Sequence, residues 1–457
     1  MKSTPAARNQ APRCACCVLL HACWAPFGAA EEPRSRIALE RMLVAFHTCQ
    51  LDVRPSAAGL AWTNSTCFSK LMAKVWMPGF VYEFVYPYPK TRGLQQWLRG
   101  EHTWFNTAFH GFMARKFMLF GDNSSATVLA HLTARWQGPI AGVPPPIGAP
   151  VVRVRDLDFY ALVGSRISRN WCMIDVVDVL QQGGYRVLPP SALPDTSYSP
   201  PSASGGLLAP DSGLVSASST AHAARAFRSM LDEDLAKQSD QARWWAENAT
   251  WYGPGGIGTA RSRAQYAVHF LRPLHAAFPN ASVDVDMLIC QNAFCGALVL
   301  VSAVHTGIWL GQPGTGRHVR LRLAVHARVQ MGAFVEGCGY CGQVAEAWAM
   351  LDIPAAFAQM GVDLLARARS QSDLRISGQA TGLVSMRAAE GQGNGRAEAG
   401  PPRQERQRFR RVPEPLTKSA TFLILALMWA VVGACIWLHK RKDRSYQCEP
   451  LLETERC

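Results

Sequence analysis

Apolar and polar residues alternate with a period of two through several stretches of this chain, and this is the signature of half-buried strands. In the run beginning at Val299, the residues Val299, Val301, Ala303, His305 and Trp309 fall in one row. From Val319 to Val329 the odd positions are apolar, while Arg320, Arg322, His326 and Arg328 lie opposite. Trp348, Met350 and Asp352 share a row of a third strand. Earlier in the chain, Thr127–Trp136, Val151–Leu162 and Trp171–Val177 read as strands, with a short helix starting over Val177–Gln182. Helical spacing of apolar residues marks Arg36–His47, a segment holding Ala224, Phe227, Met230, Leu231 and Leu235, and Arg261–Phe278. Trp76, Phe84, Trp97 and Trp104 are interrupted by Pro78, Pro87 and Pro89, a pattern expected of short helices over a pocket.

The pattern occurs twice. Residues from Leu132 align with those from Val301 at an offset of about 168 to 169, so that Gly138 matches Gly307, Gly142 matches Gly311, Pro144 matches Pro313 and Gly164 matches Gly332. After a jump of about nine residues, Trp171, Met173, Asp175, Gln182 and Gly184 fall on Trp348, Met350, Asp352, Gln359 and Gly361. So ordered a series indicates two copies of one domain. Pro189–Ser219, rich in Pro, Ser, Gly and Ala, reads as the linker between them.

The runs WYGPGGIGTARSRAQYAVHFLRPLHAAFPN (Trp251–Asn280) and HTGIWLGQPGTGR (His305–Arg317), followed by LDIPAAFAQMGVDLL, resemble the SnoaL-like polyketide cyclases. That resemblance covers 220–370 well and 60–190 more faintly. It implies the cone-shaped α+β fold shared with nuclear transport factor and ketosteroid isomerase: a curved antiparallel sheet lidded by helices around an apolar pocket. Many members of this fold only bind or scaffold, so the fold alone does not imply catalysis.

The expected organisation is a signal or targeting peptide (1–30), a divergent first domain (36–190), a linker (191–219), a second domain (220–370), a flexible stalk (371–418), a transmembrane helix (419–438) and a tail (439–457). Ser419–Leu438 is 20 residues without a charge, flanked by basic clusters, long enough to cross a bilayer at about 1.5 Å per residue. Those flanks hold the densest part of the +14 formal charge, so the excess does not call for nucleic acid. Lys2, Arg8 and Arg13 ahead of the apolar Cys14–Phe27 and small Gly28-Ala29-Ala30 have the layout of a secretory signal, with an organelle transit peptide as the alternative. Sequons at Asn64, Asn123, Asn248 and Asn280 suit a lumenal or extracellular body.

Among chemistry-bearing residues, His305 lies in an apolar row where a histidine can trade protons near neutral pH, and Trp136 takes its place in the first copy. Asp352 is either a desolvated acid/base or the cap of the helix that follows, a role its recurrence as Asp175 favours. His326, aligned with Asp158, is either a pocket residue or an interface residue. Cys338-Gly-Tyr-Cys341 resembles half of a zinc ribbon without the other half, so no metal site is assigned. Gly255-Gly256-Ile257-Gly258 lacks the features of a phosphate loop and reads as a turn. The expectation is therefore a membrane-anchored protein acting without a cofactor, as a polyketide-cyclase-like lyase or isomerase, on a small apolar carbonyl compound. In it, His305 and Asp352 are the acid/base pair, and Trp309, Trp348, Trp244 and His326 wall the pocket. The alternative is a non-catalytic ligand-binding or scaffold protein, built either as a homodimer or as an intramolecular domain pair.

Overall fold

The computed structural model describes residues 33–51, 65–195, 197–202, 217–237, 241–335 and 339–372. The first copy contributes β1 (Trp76–Glu83), β2 (Thr91–Arg92), β3 (Phe109–Gly121), β4 (Ser125–Trp136), β5 (Val151–Val163) and β6 (Arg166–Ile174). The second contributes β7 (Trp245–Tyr252), β8 (Thr259–Ala260), β9 (Ser282–Gln291), β10 (Phe294–Val304), β11 (His318–Val335) and β12 (Gly339–Leu351). The strand orders are β2-β1-β6-β5-β4-β3 and β8-β7-β12-β11-β10-β9, the same topology twice. Both sheets are mixed and not purely antiparallel, because β1 runs parallel to β6 and β7 parallel to β12.

The helices repeat as well. α1 (Arg34–Leu51) and α2 (Ser65–Val75) precede the first sheet, as α6 (Ala217–Lys237) and α7 (Gln241–Trp244) precede the second. Between the second and third strands of each copy, a helix with one π turn crosses the concave face: α3 (Gly93–Trp97), Leu98–His102 and α4 (Thr103–Ala108) in the first. Its counterpart is α8 (Arg263–Tyr266), Ala267–Leu271 and α9 (Arg272–Ala277), so the single helix expected over Arg261–Phe278 has a widened middle turn. The strand β1 replaces the first of the short helices expected around Trp76, its alternate residues Trp76, Phe80 and Tyr82 being buried. Each copy closes with a short helix, α5 (Val176–Gln182) or α10 (Ile353–Gln359), capped by Asp175 or Asp352 accepting from the backbone N–H of Asp178 or Ala355.

The ladders give the residue correspondence. Ile174 and Leu351, immediately before the capping aspartates, pair with Asp156 and Leu323. Two steps along, Asp158 faces Cys172 where Val325 faces Ala349, and Phe159 faces Trp171 where His326 faces Trp348. Trp171 and Trp348 therefore occupy equivalent strands, whereas the counterpart of His326 is Phe159 and not Asp158. The extra residues of the second copy lengthen the β11–β12 hairpin, and its Cys338–Cys341 turn lies outside the residues whose side chains are described.

The outer faces of the two sheets pack together about an approximate twofold. Arg155 donates to the carbonyl of Gly253 and pairs with Asp175, whose carboxylate accepts from Gly255 N–H of the other domain. In mirrored fashion Arg322 donates to the carbonyl of Phe84 and pairs with Asp352, whose carboxylate accepts from Tyr86 N–H. Gly255 permits this approach, because a Cβ there would lie 2.5 Å from the backbone nitrogen of Asp178. No helix among the described residues is long and apolar enough to cross a membrane, and Ser419–Leu438, the stalk, the tail and the N-terminal segment lie outside them.

Candidate functional site

A cavity of about 600 Å³ opens on the concave face of the first sheet, under the helix that carries Glu101 and His102. Alternation on β5 turns Asp156, Asp158 and Tyr160 inward, and the neighbouring strand β6 adds Asn170 and Cys172 across the ladder. Trp76, Phe84, Trp97, Phe105 and Val128 supply much of the apolar wall. The result is an apolar chamber with a polar floor, the usual make-up of a small-molecule site.

The floor is internally organised. Tyr160 donates its hydroxyl to Asp158 Oδ2 at 2.7 Å, and Cys172 Sγ lies 3.7 Å from Asp156 Oδ1. Asn170 donates to the carbonyl of Phe159, and Asn106 donates to the carbonyl of His102, fixing both amides. Asp158 Oδ1 and Glu101 Oε2 are buried without a hydrogen-bond partner among the described residues, as is Trp76 Nε1 of the same cavity, so its lining holds polar atoms able to meet a polar ligand. Burial, reinforced by the nearby Asp158, pushes Glu101 up to about 8. Burial also raises Asp158, to about 6, against the pull of the Tyr160 hydrogen bond, and Asp156 rises well above the usual carboxylate range through burial and the Asp158 charge. His102 falls to about 4, again through burial, so it is neutral at pH 7. Asp156, Asp158 and Cys172 offer donor atoms within 4.8 Å of one another, a spacing that a metal ion would tolerate. The oxygen-rich set around them equally suits a proton network.

The structure does not bring His305 and Asp352 together. His305 continues the row of Val299, Val301 and Ala303 on the concave side; it is fully buried, 3.2 Å from Thr315 Oγ1 and against the Phe278 ring at 5.1 Å. Asp352 lies in the row of Trp348, which faces the other domain, and its carboxylate is taken up by the helix cap, Arg322 and Tyr86. His326 is an interface residue: its Nε2 is 2.6 Å from Thr127 Oγ1 of the first domain, and its ring lies 5.5 Å from Phe159. Thr127 donates to the carbonyl of Asp158, so it accepts from His326, which is then the Nε2–H tautomer. Trp348 donates to the carbonyl of Ser199, Trp244 donates to Glu233, and Trp309 packs edge-on to Phe278. Trp348 and Trp244 are thus taken up by hydrogen bonds and Trp309 by ring packing. Asn123, Asn248 and Asn280 are exposed, as a glycan would require, and Asn64 lies outside the described residues.

Alternation in Val154-Arg155-Asp156-Leu157-Asp158 was the available signal for the floor, since it sets both acids on one face. Glu101 and His102 carried none, because they reach the cavity from a helix whose register with the sheet is tertiary.

The fold and site define an α+β cone domain with a helix-lidded concavity. Residues 221–360 match the family model described as SnoaL-like polyketide cyclase, so the second domain is a SnoaL-like domain. Comparison with curated proteins gives no match. Among solved structures, IdmH of Streptomyces antibioticus is 22% identical, covering 32% of this chain and 97% of its own, with a TM-score of 0.23. TsrD of Streptomyces laurentii is 16% identical over 32% of this chain and 98% of its own, with a TM-score of 0.25. A Catenulispora acidiphila protein of ketosteroid isomerase-like fold, solved with trimethylamine, is 12% identical over 30% of this chain and 94% of its own, at a TM-score of 0.24.

Proposed function

We propose that the first domain carries out acid/base chemistry on a small apolar carbonyl compound, of the lyase or isomerase type, and that the second serves as its structural partner. The observation that carries this reading is the pair of unpartnered carboxylate oxygens, Asp158 Oδ1 and Glu101 Oε2, in one apolar cavity. Asp158, the lower of the two at about 6, is the base that removes a proton from carbon beside the carbonyl. Glu101, protonated up to about 8, donates to the oxygen on which negative charge develops. Two carboxyls pushed apart by their surroundings supply acid and base together. The apolar wall excludes water, which strengthens both interactions.

Turnover then rises as pH passes 6, when Asp158 ionises, and falls past 8, when Glu101 loses its proton. Incubating the full chain with a panel of β-diketones and polyketide-like esters tests this. Asp158→Asn and Glu101→Gln should each lower kcat by roughly 10²–10⁴-fold, while His305→Ala retains turnover. Equal rates in the two carboxyl variants and the parent would remove the mechanism, and binding without turnover would leave a ligand-binding domain.

We extend the proposal to location: the body faces a lumenal or extracellular space, held by one membrane helix at Ser419–Leu438. The exposed sequons suit a glycosylating compartment, and the Cys290–Cys295 bridge across the β9–β10 ladder suits an oxidising one. Protease added to sealed vesicles should clip only the tail; digestion of the body would place it in the cytosol.

A further inference from the structure

The approximate twofold creates two equivalent grooves beside the interdomain contact, and they are in different states. One is filled by the chain itself. Tyr198, 2% exposed, lays its ring over the Arg155 guanidinium at 4.6 Å, against His131 and Tyr252, and donates its hydroxyl to the carbonyl of Ala349. Around it, Arg153 donates to Ser197 Oγ, Trp348 Nε1 donates to the carbonyl of Ser199, and Ser202 N–H donates to Glu346. A segment that reads as a linker by composition is therefore a bound ligand over Ser197–Ser202, and its Pro200 and Pro201 hold it extended.

Among the described residues, the other groove is a cavity of about 500 Å³. Its lining is the counterpart set, residue by residue: Arg320 for Arg153, Arg322 for Arg155, Trp171 for Trp348, Met173 for Met350, Leu300 for His131 and Gln359 for Gln182. The guanidinium that would take an aromatic ring, the guanidinium that would take a hydroxyl and the indole that would take a carbonyl all recur. The exchanges include the two ring neighbours of Tyr198, since Leu300 stands for His131 and Glu83 for Tyr252, and at the margin Arg169 replaces Glu346 and exposed Asp284 replaces Arg115. Glu83 is shared by Arg169 and Lys90, so this end of the groove keeps a net positive charge.

We propose that this open groove docks an extended Ser/Pro-rich segment of a partner protein carrying a tyrosine, the chemistry that fills its twin. The tyrosine ring lies on Arg322, a cation–π contact with a partly exposed guanidinium. A serine hydroxyl accepts from Arg320, and a backbone carbonyl accepts from Trp171 Nε1. Extended, proline-stiffened peptides lose little conformational freedom on docking, which suits a groove of this size. The proposal is independent of any catalysis in the first domain, since the two cavities share no lining residue.

The probe is a fluorescein-labelled peptide Ser-Tyr-Ser-Pro-Pro-Ser titrated against the full chain by fluorescence anisotropy. Saturable binding is expected, weakened at least about tenfold by replacing the peptide tyrosine with alanine, as for a central aromatic anchor. Trp171→Phe and Arg320→Ala in the protein should weaken it similarly. Arg153→Ala, on the filled side, should leave it unchanged. Arg320 is exposed and its side chain lies outside the core, so unchanged thermal melting of Arg320→Ala certifies the fold. No saturable binding overturns the proposal. So does sensitivity to Arg153→Ala with indifference to Arg320→Ala, which would mean exchange with the resident segment. Self-association abolished by Arg320→Ala would replace the partner peptide with a second copy of this chain.

Discussion

The two domains repeat one backbone and differ in what fills its concavity. Where the first turns Asp156, Asp158, Tyr160, Asn170 and Cys172 inward, the ladder correspondence puts Leu323, Val325, Ala327, Ala347 and Ala349 in the second. The helix above repeats the contrast: the conserved spacing between α4 and α9 sets Glu101 against Phe270 and His102 against Leu271. Every one of these exchanges removes an ionisable or hydrogen-bonding side chain from the second interior. The second copy lacks the polar cluster, whose burial is costly, while both copies carry the Asp–Arg pairs that join them. What the pairing teaches is that the outer faces, not the pockets, hold the pair together.

The comparison breaks most sharply if a carboxyl is moved between interiors. Leu323→Asp puts into the second core the acid that its counterpart Asp156 holds in the first. Without partners it must stay protonated at pH 7, a cost of about 4 kcal/mol for a shift of roughly three pKa units. The reverse change, Asp156→Leu, should leave the midpoint of chemical denaturation unchanged or raised. Equal loss in both would show that the second interior is also built to receive charge.

A smaller asymmetry is expected in the interdomain pairs. Arg155 is 3% exposed in its side chain and holds both Asp175 and Asp178, whereas the Arg322 side chain is 34% exposed. Arg155→Met strands two buried carboxylates and should cost about 3 kcal/mol. Arg322→Met should cost about 1 kcal/mol, because water screens what remains. Urea midpoints of the two variants read this directly, and equal shifts would make the clasp energetically symmetric.

A third asymmetry should appear in the pH dependence of stability. Glu101 titrates near 8 when folded, above its ordinary value, so the folded state holds a proton that the unfolded chain has lost. Its contribution is therefore fully present below about pH 4.5 and is lost as pH rises towards 8. Water entering the cavity moderates that loss. Glu101→Gln should flatten the decline between pH 5 and 8.5, while Phe270→Leu at the equivalent place in the second domain should leave the slope alone. An unchanged slope in Glu101→Gln would mean that its carboxyl is better solvated than its burial implies.

Much of this architecture was legible in particular residues. The alternation of Val319–Val329 and the spacing of Trp171 and Trp348 marked strands and their repetition, because a period of two survives wherever one face is buried. Asp175 and Asp352 recur because both cap a helix, as their repetition favoured. The parallel pairing of β1 with β6 was not legible, since Trp76–Glu83 is interrupted by Pro78 and Gly79 and has no neighbour in sequence to pair with. His305 attracted attention as a histidine in an apolar row, yet such a row fits a packed interior as well as a pocket.

The sequence by itself determined which residues share a face, that the domain occurs twice, and that Asp156 and Asp158 point the same way, because these follow from local periodicity and from repetition along the chain. Only the tertiary structure decided that their face is the concave one, that Glu101 descends onto it from the helix above, and that the row of Trp348 and Asp352 faces the other domain. Those depend on which side of each sheet the helix crosses and which side meets its twin, and alternation is blind to that choice because it is symmetric between the two faces of a strand.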